Sequence, residues 1–197
     1  YMSVSSYFEK LQIEAFRAGV RPRTTASLKW FRERLKPVSR LNREKIKKDS
    51  ALKTSSNPLP GRMYMYVYDP KTKATLPYYD KFPLIIMVEL TRDGFYGLNL
   101  HYLPPILRAK FFDKLLEFSS DETYGSNTRL KLTYNFLKAS SRLKEFAPCF
   151  KRYLHSHVKS TVSEVPAPEW EIAVFLPTEH FTYNTKQTVW KKVRKML

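Results

Sequence analysis

The sequence predicts an α+β protein: a small antiparallel sheet covered by helices, with a helical basic arm ahead of it. Three observations carry this. Residues 62–68 and 95–102 alternate in character, and a Thr91-Arg92-Asp93-Gly94 turn signal precedes the second run. Residues 104–118 and 185–196 repeat apolar side chains every three or four positions, the helical period. Residues 21–53 carry twelve Lys or Arg against three acids, Glu33, Glu44 and Asp49, a net +9 out of the formal +17 of the 197-residue chain.

In chain order, the spacing of Val4, Phe8, Leu11, Ala15 and Ala18 predicts an amphipathic helix over 3–19, capped by Ser6 and Glu9 and stopped by Gly19. Its apolar stripe is narrow enough to suit docking on a partner as well as a local core. A second helix starts near Thr24 or Thr25, carries Leu28, Phe31 and Leu35, and is interrupted by Pro37. A third, short one covers 39–48. The composition of residues 54–61 is that of a linker. The strand over 62–68 sets Met63, Met65 and Val67 against Tyr64, Tyr66 and Tyr68. The nearly unbroken apolar run 84–90 predicts a strand buried on both faces. Residues 95–102 form the third strand, and the alternation of Trp170, Ile172, Val174 and Leu176 predicts a fourth over 170–176. Four such strands could curl into an SH3-like barrel. Helices are expected over 104–118, 128–140 and 146–157, with a proline-containing connector over 161–168 and a final basic helix over 185–196. The expected organisation is a helical basic arm over 1–59, an α+β core over 60–177 and a C-terminal basic helix over 178–197.

A content of 43% apolar and 15% aromatic residues excludes wholesale disorder, because such a chain can bury enough surface to offset its conformational entropy. The single cysteine, Cys149, rules out an intrachain disulfide and suits synthesis in a reducing cytoplasm. The run 82–88 is far short of the roughly 20 residues of a membrane span, and the first residues show no signal pattern. The charge is concentrated, so a polyanion is the natural partner: each phosphate neutralised by Lys or Arg releases a condensed counterion. The candidate DNA-binding residues are Arg21, Arg23, Lys29, Arg32, Arg34, Lys36, Arg40, Arg43, Lys45, Lys47 and Lys48 on the arm, and Lys191, Lys192, Arg194 and Lys195 on the last helix. An acidic protein groove would suit the same arm, and a solvated face is the plainest reading of it.

Chemistry is harder to place. Five glycines form no phosphate-binding or dinucleotide-binding loop, so no cofactor is expected. His101, His155, His157 and His180 with one cysteine lack zinc spacing, so no metal is expected either. Asp80 and Glu89 superficially resemble the acids of a metal-dependent nuclease, but the lysine expected two residues after the second acid is Thr91 instead. Asn99 and His101 project from one face of a strand. They fit the satisfaction of buried groups better than a site. Tyr64, Tyr66 and Tyr68 have the spacing of a base-stacking platform, although such a stripe more often packs under a helix.

The stretches 60–71 (PGRMYMYVYDPK), 76–83 (LPYYDKFP) and above all 94–104 (GFYGLNLHYLP) resemble virion structural proteins of T-even-like contractile-tailed phages, of the DNA end protector type. The resemblance covers about residues 60–118. It implies a non-catalytic late protein that accompanies packaged genome ends and remains in the particle after assembly in the host cytoplasm. The expected partners are double-stranded DNA, other virion proteins and further copies of the chain, with no membrane. The alternatives are a neck, tail or baseplate adaptor binding acidic virion proteins and, from a different class, a metal-dependent nuclease.

Overall fold

The structure, a computed structural model, describes residues 7–21, 26, 29–30, 46, 48, 53–55, 57–105, 107–108, 110–111, 114–115, 135–140, 146–166, 169–175 and 178–195. Helix α1 (Tyr7–Arg17) buries Leu11 and Ala15 and leaves Ile13 and Phe16 exposed. It stops at Gly19, whose φ of 70° lets its N–H reach Phe16 O and lets the Val20 N–H reach Ala15 O, both at 3.0 Å. Only a residue without a Cβ takes this left-handed position cheaply.

The strands are β1 (Lys53–Thr54), β2 (Met63–Met65), β3 (Tyr79–Asp80), β4 (Leu84–Leu90), β5 (Gly94–Asn99), β6 (Phe150–Leu154), β7 (Ser163–Val165) and β8 (Phe181–Thr182). Six of them form one antiparallel sheet in the order β1-β7-β2-β4-β5-β6, and β3 and β8 pair as a separate ribbon. The register aligns Met63 with Ile86, Ile86 with Leu98 and Leu98 with Phe150, with a bulge between Met87 and Glu89. After β6 the chain makes a 3-10 turn (His155–His157), bridges Tyr68 through Val158, and continues into β7 beside β2. One segment therefore borders both β5 and β2. Among the described residues no ladder joins β6 to β7, so the described sheet is open there.

Both faces of the sheet are buried. On one, Tyr64, Tyr66, Tyr68, Ile85, Met87, Phe95 and Tyr153 form a small aromatic core, with Tyr66 meeting Phe95 and Tyr153 edge to face at 5.7 and 5.5 Å. On the other, Met63, Met65, Leu84, Ile86, Val88 and Leu98 pack against the helices through Leu11, Phe111, Leu115, Leu137, Ile172, Val174, Val189 and Val193. Described residues within 105–115 and 135–140 are helical, as expected, and α3 (Lys186–Lys195) occupies the expected C-terminal helix.

Several assignments are corrected. Residues 170–175 form a helix, α2 (Trp170–Phe175), where a strand was expected. Ile172, Ala173 and Val174 are all buried, and over so short an apolar run alternation alone does not tell strand from helix. The Trp170 Nε1–H is anchored on Val165 O at 2.7 Å. The place in the sheet goes instead to β6, expected as part of a helix, and to β7, expected as a connector. β6 is recruited by non-local pairing with β5, where Phe150 stacks on Tyr96 at 5.1 Å and 4°. The 95–102 strand ends at Asn99 and tightens into a 3-10 turn, Leu100–Tyr102. The linker expected from Thr54 starts as strand instead: β1 pairs with β7. The 21–48 helices fall largely outside the described residues.

Gly94 explains how β6 comes so close. A Cβ there would lie 1.8 Å from Tyr153 O, a backbone atom that cannot step aside, whereas at Gly97 it would meet the Ile85 side chain, Cδ1 at 2.7 Å. Overpacking costs about 1–3 kcal/mol where side chains can shift, and more where they cannot. Gly94→Ala is therefore expected to lose more than about 3 kcal/mol in urea unfolding, and Gly97→Ala about 1–2 kcal/mol. Equal losses would contradict the β5–β6 geometry.

Candidate nucleic-acid interface

The site is organised around one buried carboxylate. Asp80 Oδ1 accepts the Phe82 N–H at 3.0 Å and the His180 N–H at 3.1 Å. Its Oδ2 accepts Asn99 Nδ2 at 3.1 Å and faces His101 Nδ1 at 2.6 Å. His101 Nε2 lies 2.8 Å from Thr178 Oγ1, and Asn99 also donates to the Tyr153 hydroxyl at 3.1 Å. Burial works to raise the Asp80 pKa, but the His101 charge and the hydrogen bonds from His101, Phe82 and Asn99 outweigh it, and the carboxyl lies below its ordinary 3.8. Asn99, His101 and Thr178 have no exposure and Asp80 has 3%. The pair Asn99 and His101 thus satisfies buried groups, as the plainer reading held.

A second buried ion pair adjoins the first. The Arg108 guanidinium donates to Leu103 O at 2.7 Å, Val174 O at 3.2 Å and His101 O at 3.3 Å, and lies 3.5 Å from Glu179. Burial lowers the Arg108 pKa, and Glu179 opposes that shift. Glu179 also takes Lys186 Nζ at 2.9 Å, while the Trp190 Nε1–H is held by His101 O at 2.9 Å. Through these bonds α3 is fixed against the body. Val189 and Val193 face inward, and Lys191, Lys192, Arg194 and Lys195 stand exposed on its other side. Three of these cations, Lys192, Arg194 and Lys195, lie in the last turn, where the helix dipole favours them.

Of the arm residues predicted from sequence, Arg21, Lys29 and Lys48 are described and exposed. Arg23, Arg32, Arg34, Lys36, Arg40, Arg43, Lys45 and Lys47 lie outside the described residues. The tyrosine platform is corrected: Tyr64, Tyr66 and Tyr68 are at most 6% exposed, locked in the aromatic core between strands rather than under a helix. Asp80 and Glu89 do not converge, since Glu89 sits toward the far end of β4 and pairs with Lys138 at 3.6 Å. Among the described residues no group of three or more His, Cys, Asp and Glu could hold a metal ion.

Tyr78 is partly exposed and stands at the mouth of a cavity whose other aromatic walls are buried. This pocket of about 290 Å³ opens between the 70–78 loop, β3 and β6, with Tyr78, Tyr79, Tyr102 and Tyr153 in its walls and Asp80 among the lining groups. Lys151 Nζ sits 4.3 Å from the Tyr102 ring centroid and Lys192 Nζ 5.0 Å from that of Tyr78. Burial lowers the Lys151 pKa, and among the described residues no carboxylate pairs with it. Lys71 and Thr72 complete the rim. Sequence reasoning missed this site. Its traces were the Leu76-Pro77-Tyr78-Tyr79 aromatic pair and the basic Lys151-Arg152 between Phe150 and Tyr153.

The fold and these cationic surfaces define a small basic α+β protein built on an antiparallel sheet. Residues 5–196 match the family model of the phage T4 terminal DNA protecting protein, and the chain belongs to that family. No curated protein and no solved structure matches it. No helix among the described residues is long and apolar enough to cross a membrane.

The Asp80 network makes a stability prediction. A carboxylate whose folded pKa is depressed contributes stability above the ordinary carboxylate range and loses it as pH falls through the folded value. Asp80→Asn is expected to cost about 3–5 kcal/mol at neutral pH, the range for breaking one partner of a buried charge pair. The variant should also lose part of the fall in stability that the depressed Asp80 carboxyl predicts below about pH 4. Denaturant titrations of both proteins from neutral to acid pH check this; identical pH profiles would contradict it.

Proposed function

We propose that this chain covers the ends of double-stranded DNA without catalysing a reaction, and that it travels with the genome in a phage particle assembled in the host cytoplasm. The observation that carries the reading is membership of a family described by terminal DNA protection in a chain whose charge is concentrated on two elements. The arm over 21–53 and the outer face of α3 are the proposed DNA contacts. Their Lys and Arg side chains would bind through counterion release, independent of sequence. The non-catalytic reading rests on the sequence, which offers no phosphate-binding loop and no zinc-ligand spacing.

A second reading is favoured by one observation. Phe16 is 83% exposed beside the buried stripe of α1, a side chain that suits docking on a neighbouring virion protein or a second copy. In that reading the arm lies in an acidic protein groove of a neck, tail or baseplate. The two readings part on a single variant. If the arm binds DNA, replacing Arg32, Arg34, Arg43, Lys47 and Lys48 by Gln weakens binding about equally on all sequences. It also lowers the slope of log affinity against log salt by about 0.9 for each lost contact. Unchanged affinity and slope, with failure to enter particles, would give the arm to a protein partner.

Incubation with linear duplex DNA and magnesium or manganese should leave the DNA intact. Cleavage abolished by Asp80→Ala or Glu89→Ala would replace this reading with a nuclease.

A further inference from the structure

We infer that the tyrosine pocket beside β6 receives the terminal nucleotide of a DNA end, the unpaired base entering among Tyr78, Tyr79 and Tyr102 and its phosphate meeting Lys151 and Lys71. The inference rests on the DNA-end reading and names the part of the surface that tells an end from the middle of a duplex.

Four observations converge on it. The cavity, at about 290 Å³, is close to the lower size of ordinary small-molecule sites, about 300 Å³. It is concave, so an intact duplex cannot enter, and only a nucleotide out of the stack fits. Extrusion costs least where the base is already free of a neighbour on one side, which is the case at a terminus. The walls are aromatic, and ring faces hold bases of any identity, as a protein acting on ends of arbitrary sequence requires.

The cations complete the match. Lys151 is largely removed from water, rests on the Tyr102 ring and has no acid partner among the described residues. An unneutralised ammonium at a cavity is a receptor for an anion, and a phosphate offers charge-assisted hydrogen bonds to it. Lys192, on α3, stands over the ring of Tyr78, so one wall of the pocket is also in contact with the basic helix. The one acid in the lining, Asp80, already accepts four hydrogen bonds, which leaves the lysines as the groups that select the ligand's charge.

The test uses the full chain and one DNA sequence in two forms, a covalently closed minicircle and the same circle linearised, together with linear duplexes carrying 2-aminopurine at the terminal or an internal position. The linear form should bind about tenfold more tightly than the circle, the order expected for one stacked base. Terminal 2-aminopurine should change in fluorescence on binding while internal 2-aminopurine does not. Lys151→Gln should remove most of this preference and leave minicircle binding unchanged. Lys71→Gln, at the exposed rim where folding is not at stake, should do the same.

Equal binding of line and circle with an undisturbed terminal probe overturns the pocket assignment and the DNA-end reading together, and leaves only general DNA binding standing. An end preference that survives both substitutions overturns the pocket assignment alone. Failure to bind either form removes the DNA-end reading itself.

Discussion

A carboxylate buried to 3% exposure has to be met by donors from several directions at once, and Asp80 collects them from four parts of the chain. The backbone of Phe82 enters β4, Asn99 ends β5, His101 lies in the 3-10 turn beyond it, and the backbone of His180 leads toward α3. None of these segments can move alone without orphaning the charge. The same His101 whose ring faces Asp80 offers its carbonyl to Arg108 and Trp190, so the constraint extends to the helix after Pro104 and to α3. The orientation of the exposed cations of α3 and the lining of the tyrosine pocket are both consequences of where this carboxylate sits.

Most of the sheet is packed on both faces, and the tyrosine pocket lies at its β6 edge, lined by Lys151 and Tyr153. The aromatic side is closed by its own strands and the segment after β6, and the aliphatic side by helices. The exposed cations of α3 stand outside the sheet, and the tyrosine pocket opens at the sheet's β6 edge, where the 70–78 loop meets that strand. This division lets the cations be crowded on the surface without opposing the core. Like charges repel, and they are tolerated where water screens them and a polyanion can neutralise them.

Much of the fold was legible where a local pattern carried it. The Asp93-Gly94 turn, the unbroken run of β4 and the Val189 and Val193 spacing of α3 all appear in the structure as read. Where local pattern and long-range pairing disagreed, the sequence misled. Phe150-Lys151-Arg152-Tyr153-Leu154 has no strict alternation and becomes a strand because β5 needs a partner along its edge. Trp170 to Val174 alternates and becomes a helix because it is enclosed by Val165 and the helices. The site divides in the same way. The exposed lysines of α3 are visible in a charge run, while the pocket is assembled from residues 68–80, 102 and 151–154, with Lys192 leaning on Tyr78, too far apart in the chain for any motif. Asn99 and His101 could be paired from their spacing. Their partner Asp80, 19 and 21 residues earlier, could not.

The central claim is that the chain shields ends rather than coating DNA generally. It is tested most directly by challenging one linear duplex, with and without the protein, by an exonuclease that starts only at open ends and separately by an endonuclease that cuts an internal site. The account predicts that digestion from the ends is blocked at a protein concentration that leaves internal cutting at its normal rate. Equal slowing of both nucleases, or of neither, would contradict it.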